Sequence, residues 1–202
     1  MYQPTELCLL GEKYGADKCP QLAHALTPYY YEMLKDRKYS VKKVLEMGVG
    51  NYRQISKWKG AQIGASLKMW RDFFPNAWVY GADWQPESII EEERLSTYYA
   101  NLDFEEDILK ILEKTGLDLD LIIDDASHRP RQQLLLAKTI LPRLTTKDWI
   151  YIIEDCDGNK DIQSKLPEYN AIVPQFPSRH DLNSEWENLP HCRDSILVIR
   201  PK

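Results

Sequence analysis

No stretch of this chain comes near the ~18 consecutive apolar residues that a membrane span requires. Residues 1–6 also lack the basic-then-apolar pattern of a secretion signal. Positive charge is in deficit: 26 Lys and Arg stand against 31 Asp and Glu, a net charge of -5, so the balance gives no reason to expect a nucleic acid or an anionic membrane as partner. Cys8, Cys19, Cys156 and Cys192 form no C-x-x-C pair, which argues against a structural zinc site and fits a reducing compartment. Repeats, low-complexity tracts and linkers are missing as well. From these absences we expect a cytoplasmic protein. With 202 residues and 43% hydrophobic content, the chain suffices for one packed core and hardly for two, so residues 1–202 are expected to form one domain.

What is present is alternation. From Lys43 onward, short β-rich runs alternate with segments of helical period, the pattern of right-handed β-α-β crossovers and a parallel sheet. Strands are expected over residues 43–49, 78–83, 97–102, 119–124 and 149–154, and helices over 66–74, 105–114, 130–144 and 160–166. Residues 171–176 and 195–200 read as strands joined by a polar loop without a crossover helix, so one of them should run antiparallel. Upstream, residues 23–35 read as a helix beginning near Thr27 and Pro28, with residues 1–40 as a lid or wall over the sheet edge and 41–202 as the core. The expected fold is an α/β Rossmann-like three-layer sandwich, mostly parallel with one antiparallel strand near the C-terminus.

In such a fold chemistry gathers at the carboxyl ends of the strands. Two apolar runs break there into paired acids: Asp124 and Asp125 with His128 three residues on, and Glu154 with Asp155. Oxygen ligands from neighbouring strand ends suit magnesium, with manganese or calcium as substitutes, and a histidine beside them can take a proton from a hydroxyl. The same residues also read as helix caps or solvated turns, and His128 as a loop histidine. His24, His180 and His191 are weaker candidates. At the end of the first strand Gly48 and Gly50 permit close approach to a ligand, or simply a tight turn. Asp83, ending the second strand, occupies the place where an acid receives ribose hydroxyls, or caps the next helix. The spacing from Gly48 to Asp83 is long because residues 51–63 look like an insertion, after which Gly64, Ala65 and Ser66 resume the glycine-then-helix pattern. Trp70 and Trp149 read as core. Trp84 could flank an adenine, and Trp58 in the insertion could cover a substrate.

Taken together these residues resemble the class I S-adenosylmethionine-dependent methyltransferases. More narrowly, they resemble the metal-dependent sugar O-methyltransferases of the mycinamicin type and the related rhamnosyl O-methyltransferase and cephalosporin-hydroxylase group. The matching pieces are residues 15–18 with His24 and residues 27–30, then 44–50, 66–77, 80–83, 120–128 and 151–155. The resemblance implies that Glu46, Gly48, Gly50 and Ser66 shape the cofactor pocket and that Asp83 holds the ribose. It places Trp84, Asn101, Leu102 and Asp124 near the cofactor and closes Thr27 and Tyr30 over its methionine end. It implies Asp125, Glu154 and Asp155 as metal ligands, and His128, with Asp125, as the catalytic pair acting on a sugar acceptor such as a rhamnosyl group. Here the threonine-proline motif runs into three tyrosines, Tyr29 to Tyr31, which leaves open which of them meets the cofactor. A catechol-like acceptor uses the same metal logic. A non-catalytic nucleotide module is disfavoured, because G-x-G-x-x-G is not completed after Gly48. Self-association is left open.

Overall fold

The computed structural model describes residues 2–52, 60–156, 158–184 and 194–202; Trp58, Trp186, His191 and Cys192 lie outside them. Helix α1 (Glu6–Tyr14) is capped by the Thr5 side chain and ends at Gly15, whose φ of 74° a side chain would resist. Helix α2 (Leu26–Leu34) follows. Strand β1 (Lys43–Met47) leads to α3 (Ala65–Phe73), β2 (Trp78–Asp83), a two-residue β3 (Glu91–Glu92) and β4 (Leu95–Tyr99). Then come α4 (Glu105–Thr115), β5 (Leu121–Asp124), α5 (Pro130–Ile140), β6 (Ile150–Glu154), α6 (Asn159–Ser164), β7 (Asn170–Ile172), α7 (Arg179–Leu182) and β8 (Ile196–Arg200).

The sheet order is β3-β4-β2-β1-β5-β6-β8-β7. Strands β4, β2, β1, β5 and β6 are parallel, while β8 is antiparallel to both β6 and β7, which is the expected antiparallel strand. An antiparallel β3 beside β4 was not expected. The two-residue period of a strand builds two cores. Val44, Leu121, Ile123, Ile150 and Ile152 pack under α1, α2 and α3, against Leu7, Tyr30, Leu67, Trp70 and Phe73. Leu45, Met47, Ile122, Tyr151 and Ile153 pack under α4, α5 and α6, against Ile108, Leu112, Leu136, Ile140 and Ile162. Each such side chain stabilises the fold by roughly 1.5–3 kcal/mol.

Several boundaries moved, with identifiable causes. The helix expected over 130–144 ends at Ile140 in a tighter turn, because Pro142 cannot donate the next amide. The strand expected over 171–176 stops at Ile172, ahead of Pro174. The strand expected over 97–102 runs from Leu95 to Tyr99, in register with β2 from Val79 to Asp83. Thr27 does not cap α2. It is the second helical residue, and the helix begins after Ala25, whose amide is taken by Asp194. Helix α1 escaped notice because its buried stripe is narrow: Leu7, Cys8 and Gly11.

Candidate active site

Strand order reverses between β1 and β5, and the carboxyl ends of those strands open a cavity of about 550 Å³, within the ~300–1,000 Å³ of small-molecule sites. The two strands nearly touch there. Asp125 N–H donates to Met47 O at 2.8 Å, and a Cβ on Gly48 (φ 98°) would stand 2.1 Å from the Asp125 carbonyl oxygen. Only glycine fits. Gly64 N–H donates to Val49 O at 3.2 Å, so the two sides of the 51–63 insertion are adjacent in space and the glycine-then-helix motif is continuous across it. One Asp83 oxygen accepts from the amides of Val49 (2.9 Å) and Gly50 (3.3 Å), and the other from Gln85 (2.9 Å). This acid therefore clamps the loop as well as lining the cavity. Gly50, Ser66, Asn101 and Leu102 line it too, with Trp84, which is 63% exposed.

The acids sort into two layers. Glu46, Asp125 and Glu154 fall on the α1–α3 side of the sheet, two residues on from Val44, Ile123 and Ile152 respectively. Lys18 lies buried among them. Its Nζ donates to Asp125 Oδ2 and, at 2.7 Å, to Glu154 Oε2, and it lies 3.7 Å from Glu46 Oε1. The Lys18 carbonyl accepts from the amides of Leu26 and Thr27, which have no partner within α2, and this seats the residue. Tyr30 donates to Glu154 Oε1 at 2.9 Å, and Ser66 and Trp70 donate to Glu46 at 2.5 and 2.6 Å. Burial opposes charge on Lys18, yet Asp125, Glu154 and Glu46 outweigh it and raise its pKa. Burial pushes Glu154 up to about 8 and Glu46 up to about 7 against the pull of Lys18. For Asp125 burial acts the same way, but Lys18 and His128 prevail and bring it to about 2.

The outer layer is Asp125, His128 and Asp155. His128 Nε2 lies 3.1 Å from Asp125 Oδ1, and its Nδ1 lies 3.3 Å from Asp155 Oδ2. The bond to Asp125 leads in raising the His128 pKa, against burial; burial raises that of Asp155, against His128 and His24. Strand alternation alone would send Asp155 to the face opposite Glu154. A left-handed backbone (φ 46°) turns it back, and His128 (φ 58°) is left-handed as well. Of the three non-glycine residues with positive φ among the described residues, two are in this cluster, the kind of strain that collects where geometry matters. One ligand atom from each of the three residues lies within 4.8 Å of the others. Asp125 and Asp155 offer a hard oxygen pair to a small divalent cation, with the His128 imidazole beside them.

Of the residues that the resemblance assigns to the site, Thr27, Tyr30 and Asp124 do not line the cavity. Thr27 donates to Cys8 Sγ within the α1–α2 contact. Tyr30 is fully buried against Trp70. Asp124 points to the α4–α6 side, where burial pushes its pKa up to about 7. Glu154 lines the cavity, but its carboxylate is engaged by Lys18 and Tyr30 rather than grouped with the outer three. Lys18 had been assigned no role. The signal for it is that three acids on one face, two of them buried, need a counter-charge.

No protein-family model matches the chain. The 8-demethyl-8-(2-methoxy-alpha-L-rhamnosyl)-tetracenomycin-C 3'-O-methyltransferase of Streptomyces olivaceus is 31% identical over 153 residues, 76% of this chain and 37% of that protein. The mycinamicin VI 2''-O-methyltransferase of Micromonospora griseorubida is 31% identical over 150 residues, 74% of this chain and 36% of that protein. The chain thus spans little more than a third of these relatives. Among solved structures, MycE methyltransferase from the mycinamycin biosynthetic pathway, in complex with Mg, SAH and mycinamycin VI, matches with a TM-score of 0.73 at 22% identity, over 99% of this chain and 55% of its own. A putative caffeoyl-CoA O-methyltransferase from Staphylococcus aureus matches at 0.58 and 14% identity, over 98% and 93%. At such identities the structural likeness is one of fold. Sequence and fold together show that the chain belongs to the class I S-adenosylmethionine-dependent methyltransferases.

Proposed function

We propose that this protein is an S-adenosylmethionine-dependent, divalent-cation-assisted O-methyltransferase acting on a hydroxyl of a sugar, of which a deoxyhexose such as rhamnose in a glycosylated metabolite is the leading case. One observation carries the proposal: the convergence of Asp125, His128 and Asp155 on the cavity at the β1/β5 switch point. The sugar O-methyltransferase relatives and the Mg and SAH of the MycE complex support it. When bound, the cation would make a coordinated hydroxyl more acidic, and S-adenosylmethionine would supply a methyl group already activated as a sulfonium.

The remaining work falls to side chains of this chain. Lys18 holds one oxygen of Asp125, leaving the other toward His128. His128 is the group in reach to take the hydroxyl proton as the O–CH₃ bond forms and the C–S bond breaks. Asp83 and Gly48 hold open the loop along which the cofactor would lie. The test is transfer of labelled methyl from S-adenosylmethionine to methyl glycosides of 6-deoxyhexoses, with and without a chelator. Chelator-sensitive transfer is expected. Transfer to a vicinal phenol but to no glycoside would move the assignment to a catechol-like acceptor, and binding of NAD in preference to S-adenosylhomocysteine would overturn it.

A further inference from the structure

A second histidine lines the cavity and is left unused by the scheme above. His24 shares the wall formed by Gly15, Ala16, Asp17 and Leu26. Its Nδ1 lies 2.8 Å from Oδ1 of Asp194, a carboxylate whose side chain is only 7% exposed. The second Asp194 oxygen accepts the amide of Ala25 at 3.1 Å, and the His24 amide donates to the Asp17 carbonyl at 2.8 Å. The ring is thus fixed from two directions, by the residue that leads into β8 and by the turn before α2. With Nδ1 committed to Asp194, Nε2 is the ring atom left for a ligand, and no hydrogen bond to it is found among the described residues. Burial opposes charge on the ring, but the bond to Asp194 and the charges of Asp17 and Asp155 outweigh it and push its pKa up to about 9. At neutral pH the ring is therefore a donor at both nitrogens.

A cation cluster by itself holds any neighbouring pair of hydroxyls. A deoxyhexose offers more than one such pair, so choosing among them needs a further fixed contact, and a half-buried ring held in one orientation supplies a strong selector. We infer that His24, oriented by Asp194, donates from Nε2 to a sugar hydroxyl other than the one methylated, and so sets which hydroxyl is presented to His128. Asp194 is then a positioning residue. The inference rests on the sugar O-methyltransferase reading and adds the residue that selects the acceptor hydroxyl.

The test uses the full chain with ¹⁵N-labelled histidine rings, saturated with S-adenosylhomocysteine and Mg²⁺ and titrated with a panel of methyl 6-deoxyhexosides. The ring signals of both His24 and His128 are expected to move with one affinity. His24→Gln and Asp194→Asn should weaken that affinity by about tenfold to a hundredfold, the worth of a hydrogen bond from a charged donor. They should raise the acceptor KM while kcat and S-adenosylhomocysteine binding hold. A merely structural role would lower all of these together. Movement at His128 with none at His24, or an unchanged KM in both variants, overturns the inference and leaves the proposed reaction standing. Silence at both rings, with no methyl transfer to any glycoside, overturns the reaction and the inference with it.

Discussion

Glu154 and Asp155 are chain neighbours of the same chemical type, and they belong to different regions of the molecule. Glu154 sits in the inner layer with Lys18, Tyr30 and Glu46, nearly all of it inaccessible. Asp155 sits in the outer layer with His128 and Asp125, one third exposed. The inner layer has a permanent internal cation, so its carboxylates are held in place whether or not a ligand is present. The outer layer has only a histidine between two carboxylates, an arrangement that a divalent cation can enter. Acids of the same chemical type are thus enclosed with a lysine in one layer and left beside a histidine at the cavity in the other, and the difference lies in the counter-charge each is given. Asp125 touches both layers, one oxygen on Lys18 and the other on His128.

The comparison can be broken most severely at that shared residue. Asp125→Ala should lower methyl transfer by about a thousandfold, the scale of a lost proton-transfer arrangement, while calorimetry still finds S-adenosylhomocysteine binding. Retained turnover would dissolve the distinction between the layers. Next in size is Lys18→Met, which leaves buried carboxylates without their partner and should cost about 3–5 kcal/mol in urea unfolding. By contrast Asp155→Asn in the outer layer should stay within about 1 kcal/mol while removing activity.

A pH titration sharpens the role of the counter-charge. The His24 pKa is raised in the folded state to about 9 from the ordinary histidine value of 6.5, so the folded protein binds the proton more tightly than the unfolded chain. Its contribution is fully present below pH 6.5 and is lost as the pH rises through 9, at most about 3 kcal/mol. Stability should fall over that window in the parent protein, and the slope should flatten in Asp194→Asn. The smallest effect is expected for a solvent-exposed pair. Lys165→Ala, which removes the exposed contact to Asp161, should change stability by no more than about 0.5 kcal/mol.

Much of this was legible before folding was considered. The alternation of strands and helices, the glycines after β1, the acid ending β2 and the acid-histidine run after β5 each carry a local signal, and the structure assembles them around one cavity. The partition of the acid pairs was legible only in principle. A period of two separates Asp124 from Asp125, yet reading adjacent acids as one ligand set ignores it. Asp155 would have misled even a careful count, because its left-handed backbone overrides the period. Lys18 enters the sequence reading only within the matching residues 15–18, with no role attached, because a lysine there reads as solvated until three acids are seen to share its face.

What the sequence by itself determined is whatever depends on neighbours in the chain: which residues alternate, where glycine must relieve a turn, and which strands end in acid. Only the tertiary structure decided that Lys18 meets acids 107 and 136 residues away, that Asp194 takes the Ala25 amide ahead of α2 and meets His24 Nδ1, and that Asp155 turns toward His128. A buried charge takes whichever partner packing brings within about 3 Å, and no local spacing encodes a meeting across the sheet.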